Sequence, residues 1–374
     1  MIIGIEASRA NRLQKTGVEW YAYRVIQELK KLPEADRHSW LLYSNLPLAM
    51  GLERGPTNWH ERRLSWPPKY MWTQIRLSWE MAKRPPEILF VPAHVLPRFI
   101  PKRTVVTVHD IGFHRMPSLY KPQQVAYHEA TTRDIVKRAS RIITVSQFSR
   151  RELIEGYNAD PARITVTHLG VDHERYRPAD PAVIAAVLGR YRLAQPYLIY
   201  VGRLELKKNI LTALEAFRRY KEARGVGDPM KLVFAGIPGM GFDAFQRAYH
   251  ASGLGESVVF TGYVSEDEKI ALLSGATALV HPSWYEGFGL TPLEAMACGC
   301  PVVCSSAASL PEVVGQENAL WFEPQDVDAL AQRLMEITDD RERRQTLIER
   351  GLAWVAQYDW AETARRTLPV LSEW

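Results

Sequence analysis

The chain has 374 residues, 46% of them hydrophobic and 24% charged. That balance excludes a disordered chain and a disulfide-stapled miniprotein, and it predicts two or three domains. The formal net charge is +5, but it is unevenly spread: residues 1–180 hold 28 Lys/Arg against 18 Asp/Glu, and the remainder holds 19 against 24. A basic part joined to an acidic part predicts two domains facing different partners.

In chain order, short β-rich apolar runs alternate with amphipathic helical patterns. Strands are expected at 2–6, 87–91, 104–109, 142–146 and 164–168, then at 197–202, 232–236, 258–261, 278–281, 302–304 and 320–322. Helices are expected at 20–32, 123–138, 210–221 and 326–337. Short strands without strict alternation, separated by helices, predict parallel sheets covered on both faces. The fold class is α/β, with two doubly wound domains. The Pro-rich stretch 177–181 reads as a linker. Helix-start signals of the S/T-x-x-E type occur at Ser149–Glu152, Thr291–Glu294 and Ser309–Glu312.

The amino terminus, MIIGIEASRA, has neither the basic start nor the apolar stretch of a signal peptide. No apolar run reaches the roughly 18 residues that span a bilayer. The cysteines, Cys298, Cys300 and Cys304, share one apolar stretch and suit a reducing compartment. A cytoplasmic location is the expectation.

The densest chemical signal runs from His281-Pro-Ser-Trp-Tyr-Glu286-Gly-Phe-Gly-Leu to Thr291-Pro-Leu-Glu294. It follows a buried strand and opens a helix, the junction where open α/β sheets bind ligands. Gly287 and Gly289 permit close backbone approach, and helix-start amides suit an anion. Glu286 and Glu294 suit hydroxyl partners such as sugar or ribose diols. The plainer readings are a helix cap for Glu294 and a solvated loop carboxylate for Glu286. A second cluster, Val201-Gly202-Arg203-Leu-Glu-Leu-Lys207-Lys208-Asn209, also links a strand to a helix. There Arg203 and Lys208 suit a diphosphate, or else form a solvated basic loop.

Together these segments resemble the retaining nucleotide-sugar glycosyltransferases of the GT-B fold, family 4, also called glycosyltransferases group 1. The resemblance rests on Glu286-x7-Glu294, on Gly202-Arg203 with Lys208, and on the flanking text Phe260-Thr-Gly-Tyr-Val264 and Leu310-Pro-Glu-Val-Val-Gly315. In the first part, Gly17-Val-Glu19 is similar to the family's glycine loop, with one glycine where two adjacent ones are common. Val105-Val-Thr-Val-His109-Asp110 is similar to the strand that ends in its active-site histidine.

The resemblance implies two domains facing across a cleft, an acceptor domain at 1–178, a donor domain at 179–356, and a last helix at 357–374 that crosses back. It implies transfer of a hexose from a nucleotide diphosphate donor with retained anomeric configuration, by double displacement or at the front face. Arg203 and Lys208 would neutralise the departing diphosphate. Glu294 would hold the ribose and Glu286 the donor sugar. The amides of Phe288, Gly289 and Leu290 would bind sugar and phosphate. Gly17 would lie near the donor phosphates and the acceptor, Gly202 in the diphosphate-binding segment, His109 near the transferred sugar, and Tyr263 and Val264 near the base. The form Thr107-Val-His109-Asp110-Ile-Gly resembles mannosyltransferase members, which points to GDP-mannose; UDP-hexoses and a deoxyhexose donor stay open. A saccharide or polyprenyl-diphosphate-linked acceptor in cell-surface glycan synthesis is implied. The alternative is a nucleotide-sugar-binding protein or epimerase on the same fold.

No metal and no cofactor are expected. Asp326-Val-Asp328 opens a helix, where carboxylates need no cation. Nucleic-acid binding is not expected either, since no such motif accompanies the basic residues. Residues 59–84 interleave Trp59, Trp66, Tyr70, Trp72 and Trp79 with Arg62, Arg63, Lys69, Arg76, Lys83 and Arg84. That composition suits an anionic membrane surface, which family members commonly use, or aromatic packing in the core beneath a solvated basic face.

Overall fold

The computed structural model describes every residue except Lys69, His94 and Val226; Lys69 of the aromatic-basic segment therefore lies outside the described residues. The chain divides into two compact units, Met1–Gly170 with Tyr358–Trp374, and Val171–Gln357.

The first unit contains β1 (Ile2–Glu6), α1 (Gly17–Leu29), β2 (Ser39–Ser44), β3 (Trp59–Arg63), α2 (Ser78–Lys83), β4 (Ile88–Val91), β5 (Arg103–Val108), α3 (Gly112–Arg115), α4 (Pro122–Arg138), β6 (Arg141–Thr144), α5 (Gln147–Tyr157) and β7 (Ile164–Val166). Its strands form one parallel sheet in the order β3-β2-β1-β4-β5-β6-β7. The chain builds outward in one direction from β1 and in the other from β4, so the topological switch point lies between them. Ile3, Ile5, Val106 and Ile142 are buried in the core of this sheet.

The second unit contains α6 (Pro181–Arg190), β8 (Tyr197–Val201), α7 (Ile210–Arg224), β9 (Lys231–Ala235), α8 (Phe242–Ala251), β10 (Val258–Gly262), α9 (Glu266–Gly275), β11 (Ala278–His281), α10 (Leu290–Ala297), β12 (Val302–Ser305), α11 (Leu310–Val314), β13 (Leu320–Phe322), α12 (Val327–Asp339) and α13 (Arg341–Val355). The sheet order is β10-β9-β8-β11-β12-β13, again all parallel, with its switch point between β8 and β11. Tyr200, Phe234, Val280 and Val303 are buried within it. The last helix, α14 (Trp360–Ser372), packs against α1 in the first unit, and Thr363 Oγ1 donates to the His168 carbonyl at 2.8 Å.

Several local expectations are corrected. β2 and β3 were not expected. β3 is an edge strand of sequence WHERR that pairs with β2 on one side, so no apolar alternation marks it. Trp59 gains its burial by stacking on Trp40, with ring centroids 4.4 Å apart. The stretch 177–181 is not a linker: the Ala179 amide donates to Ser274 Oγ at 3.0 Å, and Pro181 already begins α6. Ser149 does not cap α5. Ser146 does, accepting from the Ser149 amide at 3.0 Å.

Candidate functional site

At the switch point of the second sheet, the loop after β8 meets the loop after β11. The two are tied together before any ligand is considered. The Trp284 amide donates to the Lys207 carbonyl at 3.1 Å. Asn209, 5% exposed and left-handed at φ 55°, donates from Nδ2 to the carbonyls of Pro282 (3.0 Å) and Pro324 (2.7 Å). Ser305 Oγ donates to the Ser283 carbonyl at 2.6 Å. Ser309 Oγ donates to the carbonyls of Glu286 and Phe288 at 2.9 and 2.8 Å. Ser309 therefore braces the 286–288 turn and makes no side-chain cap on α11. Gly236-Ile-Pro-Gly239-Met-Gly241 buttresses the loop after β8 from the other side: the Leu204 amide donates to the Ile237 carbonyl, and the Gly239 amide to the Leu204 carbonyl. A side chain at Gly236 would strike the Gly202 carbonyl oxygen, and φ is +159° there, so glycine is required.

Glu286 sits inside this frame. Its Oε1 accepts from Lys208 Nζ at 2.6 Å and Ser283 Oγ at 2.7 Å, and His281 Nε2 lies 3.1 Å away. Its Oε2 accepts from no described residue. Burial acts to raise this carboxyl, but Lys208, His281 and Lys207 outweigh it and hold it well below the usual carboxylate range. Glu286 is therefore a fixed anion with one oxygen bare. Arg203 is the opposite case. Its side chain is exposed and has no ion-pair or hydrogen-bond partner among the described residues.

α10 begins at Leu290 behind Gly289, whose φ is +101°, and no side chain caps it. The first amides of a helix lack acceptors within the helix, so this end suits an anion. The helix-cap reading of Glu294 fails, because Glu294 lies inside α10, not at its start. It is 8% exposed, with Oε2 3.0 Å from Lys269 Nζ of α9. Lys269 also reaches Glu266 at 3.1 Å, and Tyr176 OH donates to Glu266. Burial raises the Glu294 carboxyl; Lys269 opposes this, and Glu266 adds to it. Tyr263 and Val264 lie between β10 and α9, with Tyr263 73% exposed.

In the first unit, His109 directly follows β5 and is 7% exposed. Its Nε2 donates to the Pro92 carbonyl at 3.0 Å, and its ring meets the Tyr21 ring edge-on at 4.7 Å. Burial lowers its pKa, so it is a neutral imidazole in the Nε2–H tautomer. Gly17 opens α1, and a Cβ there would meet nothing within 4 Å. A cleft of about 810 Å³ opens beside the β1–α1 loop, lined by Arg9, Arg12, Leu46, Tyr70, Met71 and Tyr127 among others. A smaller recess at the end of β1 reaches Glu6.

Among the described residues no cluster of three His, Cys, Asp or Glu could hold a metal ion. Asp326 caps α12 through the Ala329 amide, and Asp328 pairs with Arg219. The sequence motifs contain His281, Ser283 and Asn209, but their spacing does not disclose that these side chains orient Glu286 and its loop. Lys269 and Tyr176 lie outside every motif. Only the packing of α9 against α10 brings Lys269 to Glu294.

Two parallel-sheet units of this kind, each with its loops at the switch point, are the architecture of GT-B glycosyltransferases. The description "Glycosyl transferases group 1" matches residues 191–354, and "Glycosyltransferase Family 4" matches residues 15–175. The O-antigen chain mannosyltransferase B of Escherichia coli is 35% identical over 294 residues, covering 78% of this chain and 76% of that protein. The chain belongs to the group 1, family 4 glycosyltransferases. The serotype-specific mannosyltransferase WbdA of Escherichia coli is 32% identical over 275 residues, 71% of this chain but only 33% of that protein. In fold the chain is similar to Anabaena HepE, solved with UDP and glucose (TM-score 0.75, 17% identity, 100% and 99% of the two chains). It is equally similar to WaaG, a glycosyltransferase of lipopolysaccharide biosynthesis (TM-score 0.75, 13% identity, 100% of each chain).

Proposed function

We propose that this glycosyltransferase moves a mannosyl residue from GDP-mannose to a saccharide or lipid-linked saccharide acceptor, with retention and without a metal. The observation that carries the reading is an exposed Arg203 with no ion-pair or hydrogen-bond partner among the described residues, together with a Glu286 held rigid by three donors around one oxygen. Arg203 is placed to take up negative charge as it develops on a departing diphosphate. Lys208, held at 2.6 Å by Glu286, adds a second cation on the same loop. The bare Oε2 of Glu286 suits hydroxyls of the transferred sugar, and Glu294 suits those of the ribose. The amides of Phe288, Gly289 and Leu290 supply donors at the start of α10, and Gly202 leads from β8 into Arg203.

Glu286, with Oε1 taken up by Lys208, Ser283 and His281, is assigned to sugar hydroxyls, and retention would proceed at the front face or by double displacement. The mannosyl assignment is supported by the mannosyltransferase names of the relatives. Thermal shift across a panel of nucleotide sugars, followed by transfer assays, tests it. GDP-mannose should stabilise the chain most; a larger shift with a UDP-hexose overturns the donor assignment, and no shift with any donor overturns the transfer reading.

A peripheral site on an anionic membrane surface, at the cytoplasmic face, belongs to the same proposal. Trp72 is buried and Trp59 is stacked in the sheet, so these two serve the core. Arg62 and Arg76 are spent on the buried Glu80. What supports docking is narrower: Met71, Ile75 and Trp79 recur every four residues and are all exposed, with Lys83 4.4 Å from the Trp79 ring. Among the described residues no helix is long and apolar enough to cross a membrane. Salt-sensitive sedimentation with anionic vesicles should be lost in an Ile75→Ser, Trp79→Ser, Lys83→Ser variant. Undiminished binding overturns this surface.

A further inference from the structure

We propose that Lys269 of α9 is a positioning residue for Glu294, and that this pair sets the chain's preference for a ribose over a 2′-deoxyribose nucleotide. The role rests on the proposed assignment of Glu294 to the ribose hydroxyls and adds the residue that makes Glu294 fit for it. Lys269 stands at the end of the first turn of α9. That turn is capped reciprocally: Ser265 Oγ accepts from the Glu268 amide at 3.3 Å, and Glu268 Oε2 accepts from the Ser265 amide at 2.9 Å. Tyr263 and Val264, expected near the base, immediately precede Ser265. One capped helix start therefore carries both the base segment and the cation that meets the ribose carboxylate. Packing of α9 on α10 closes the 25-residue separation and brings Lys269 Nζ to 3.0 Å from Glu294 Oε2.

Three groups surround the ammonium: Glu294 Oε2, Glu266 Oε2 at 3.1 Å, and the Tyr176 ring with its centroid at 4.9 Å. The side chains of Lys269 and Glu294 are only 13% and 11% exposed, so little water weakens their attraction. Tyr176 is buried and its hydroxyl donates to Glu266. Glu266 thus has a donor of its own, which leaves Lys269 to serve Glu294. Arg175 is paired with Asp267 at 2.8 Å. The group then holds two cations and three carboxylates, a balance that suits hydroxyl donors and not a phosphate. Burial acts most strongly to raise the Glu294 carboxyl and Glu266 adds to it, while Lys269 and the Tyr176 hydroxyl oppose them. Without Lys269 the two glutamates would face each other uncompensated, and one would keep a proton. A protonated carboxyl turns an acceptor oxygen into a donor and loses its hold on a diol. Lys269 keeps Glu294 an acceptor, fixes it by one oxygen, and leaves Oε1 to accept from a ligand. A ribose brings two neighbouring hydroxyls to such a carboxylate; a 2′-deoxyribose brings one.

The test is calorimetric titration of the full chain with GDP, UDP and their 2′-deoxy counterparts. The tighter of GDP and UDP should bind about tenfold more strongly than its 2′-deoxy counterpart. Lys269→Met keeps the length of the side chain and removes its charge; it should shrink that ratio to within about twofold, chiefly by weakening the ribonucleotide. A merely structural role would weaken both forms alike and leave the ratio where it was. Glu266→Gln should hold or widen the ratio, because Lys269 then serves Glu294 alone. Glu266 is 28% exposed at its side chain, so this variant keeps the fold if Lys269→Met does not. A ratio preserved in Lys269→Met, or collapsed in Glu266→Gln, overturns the positioning role and leaves Glu294 with the ribose. Equal binding of the two forms by the unaltered chain, or binding of neither diphosphate, overturns the assignment of Glu294 itself and this role with it.

Discussion

Lys208 Nζ lies 2.6 Å from Glu286 Oε1, although 78 residues separate them in the chain. The cation expected to serve a diphosphate is thus already engaged by the carboxylate expected to serve a sugar. Arg203, five positions earlier, has no such partner among the described residues. The two cations should consequently behave differently on substitution.

Arg203→Ala should leave stability within about 0.5 kcal/mol, as for an exposed side chain without an ion-pair or hydrogen-bond partner among the described residues. Turnover should fall by at least about a hundredfold, the scale of losing one charge-stabilising donor. Lys208→Ala should lower both, because it strips a cation from a largely buried anion. Denaturant melts alongside transfer assays separate the cases; full activity in Arg203→Ala would refute its assignment to the diphosphate.

Asn209→Ala should destabilise the second unit by about 3 kcal/mol. It leaves the Pro282 and Pro324 carbonyls without their donor and puts alanine in the left-handed region. A loss under about 1 kcal/mol in urea unfolding would show that these bonds do not secure the loop.

Gly17→Ala should keep or slightly raise stability, by up to about 1 kcal/mol, since the added methyl has open space and favours the helix. Transfer should nevertheless fall if substrate passes that position. Unchanged activity would remove Gly17 from the site.

His109 predicts a pH effect with a definite sign. Burial holds its pKa below the ordinary 6.5. Between that value and its folded pKa the unfolded chain binds more protons, so stability is full above pH 6.5 and declines as pH falls below it. His109→Gln should flatten the dependence of the urea midpoint from pH 6.5 down to about pH 5. An identical slope in the variant would assign the titration to another group.

Much of the fold was legible from residues. Eleven expected strands coincide with observed ones to within a residue or two, because strands buried on both faces read as apolar runs. β3 escaped because an edge strand need bury little, and WHERR earns its place through one Trp59–Trp40 stack. The aromatic-basic segment divided for a related reason. Composition cannot say which of Trp59, Trp66, Trp72 and Trp79 faces the core, and the turn of helix at 72–77 decides it.

The sequence by itself determined the two parallel sheets, the order of the loops on them, and the spacing that places Glu286 in a turn and Glu294 in the next helix. Tertiary structure alone decided which charges are already satisfied: Lys208 by Glu286, Glu294 by Lys269, and Glu6 on one oxygen only. Spacing along a chain reports hydrogen-bonded local geometry and the burial of faces. The state of a charge depends on distance and desolvation across loops that meet only once the sheet has set its strand order.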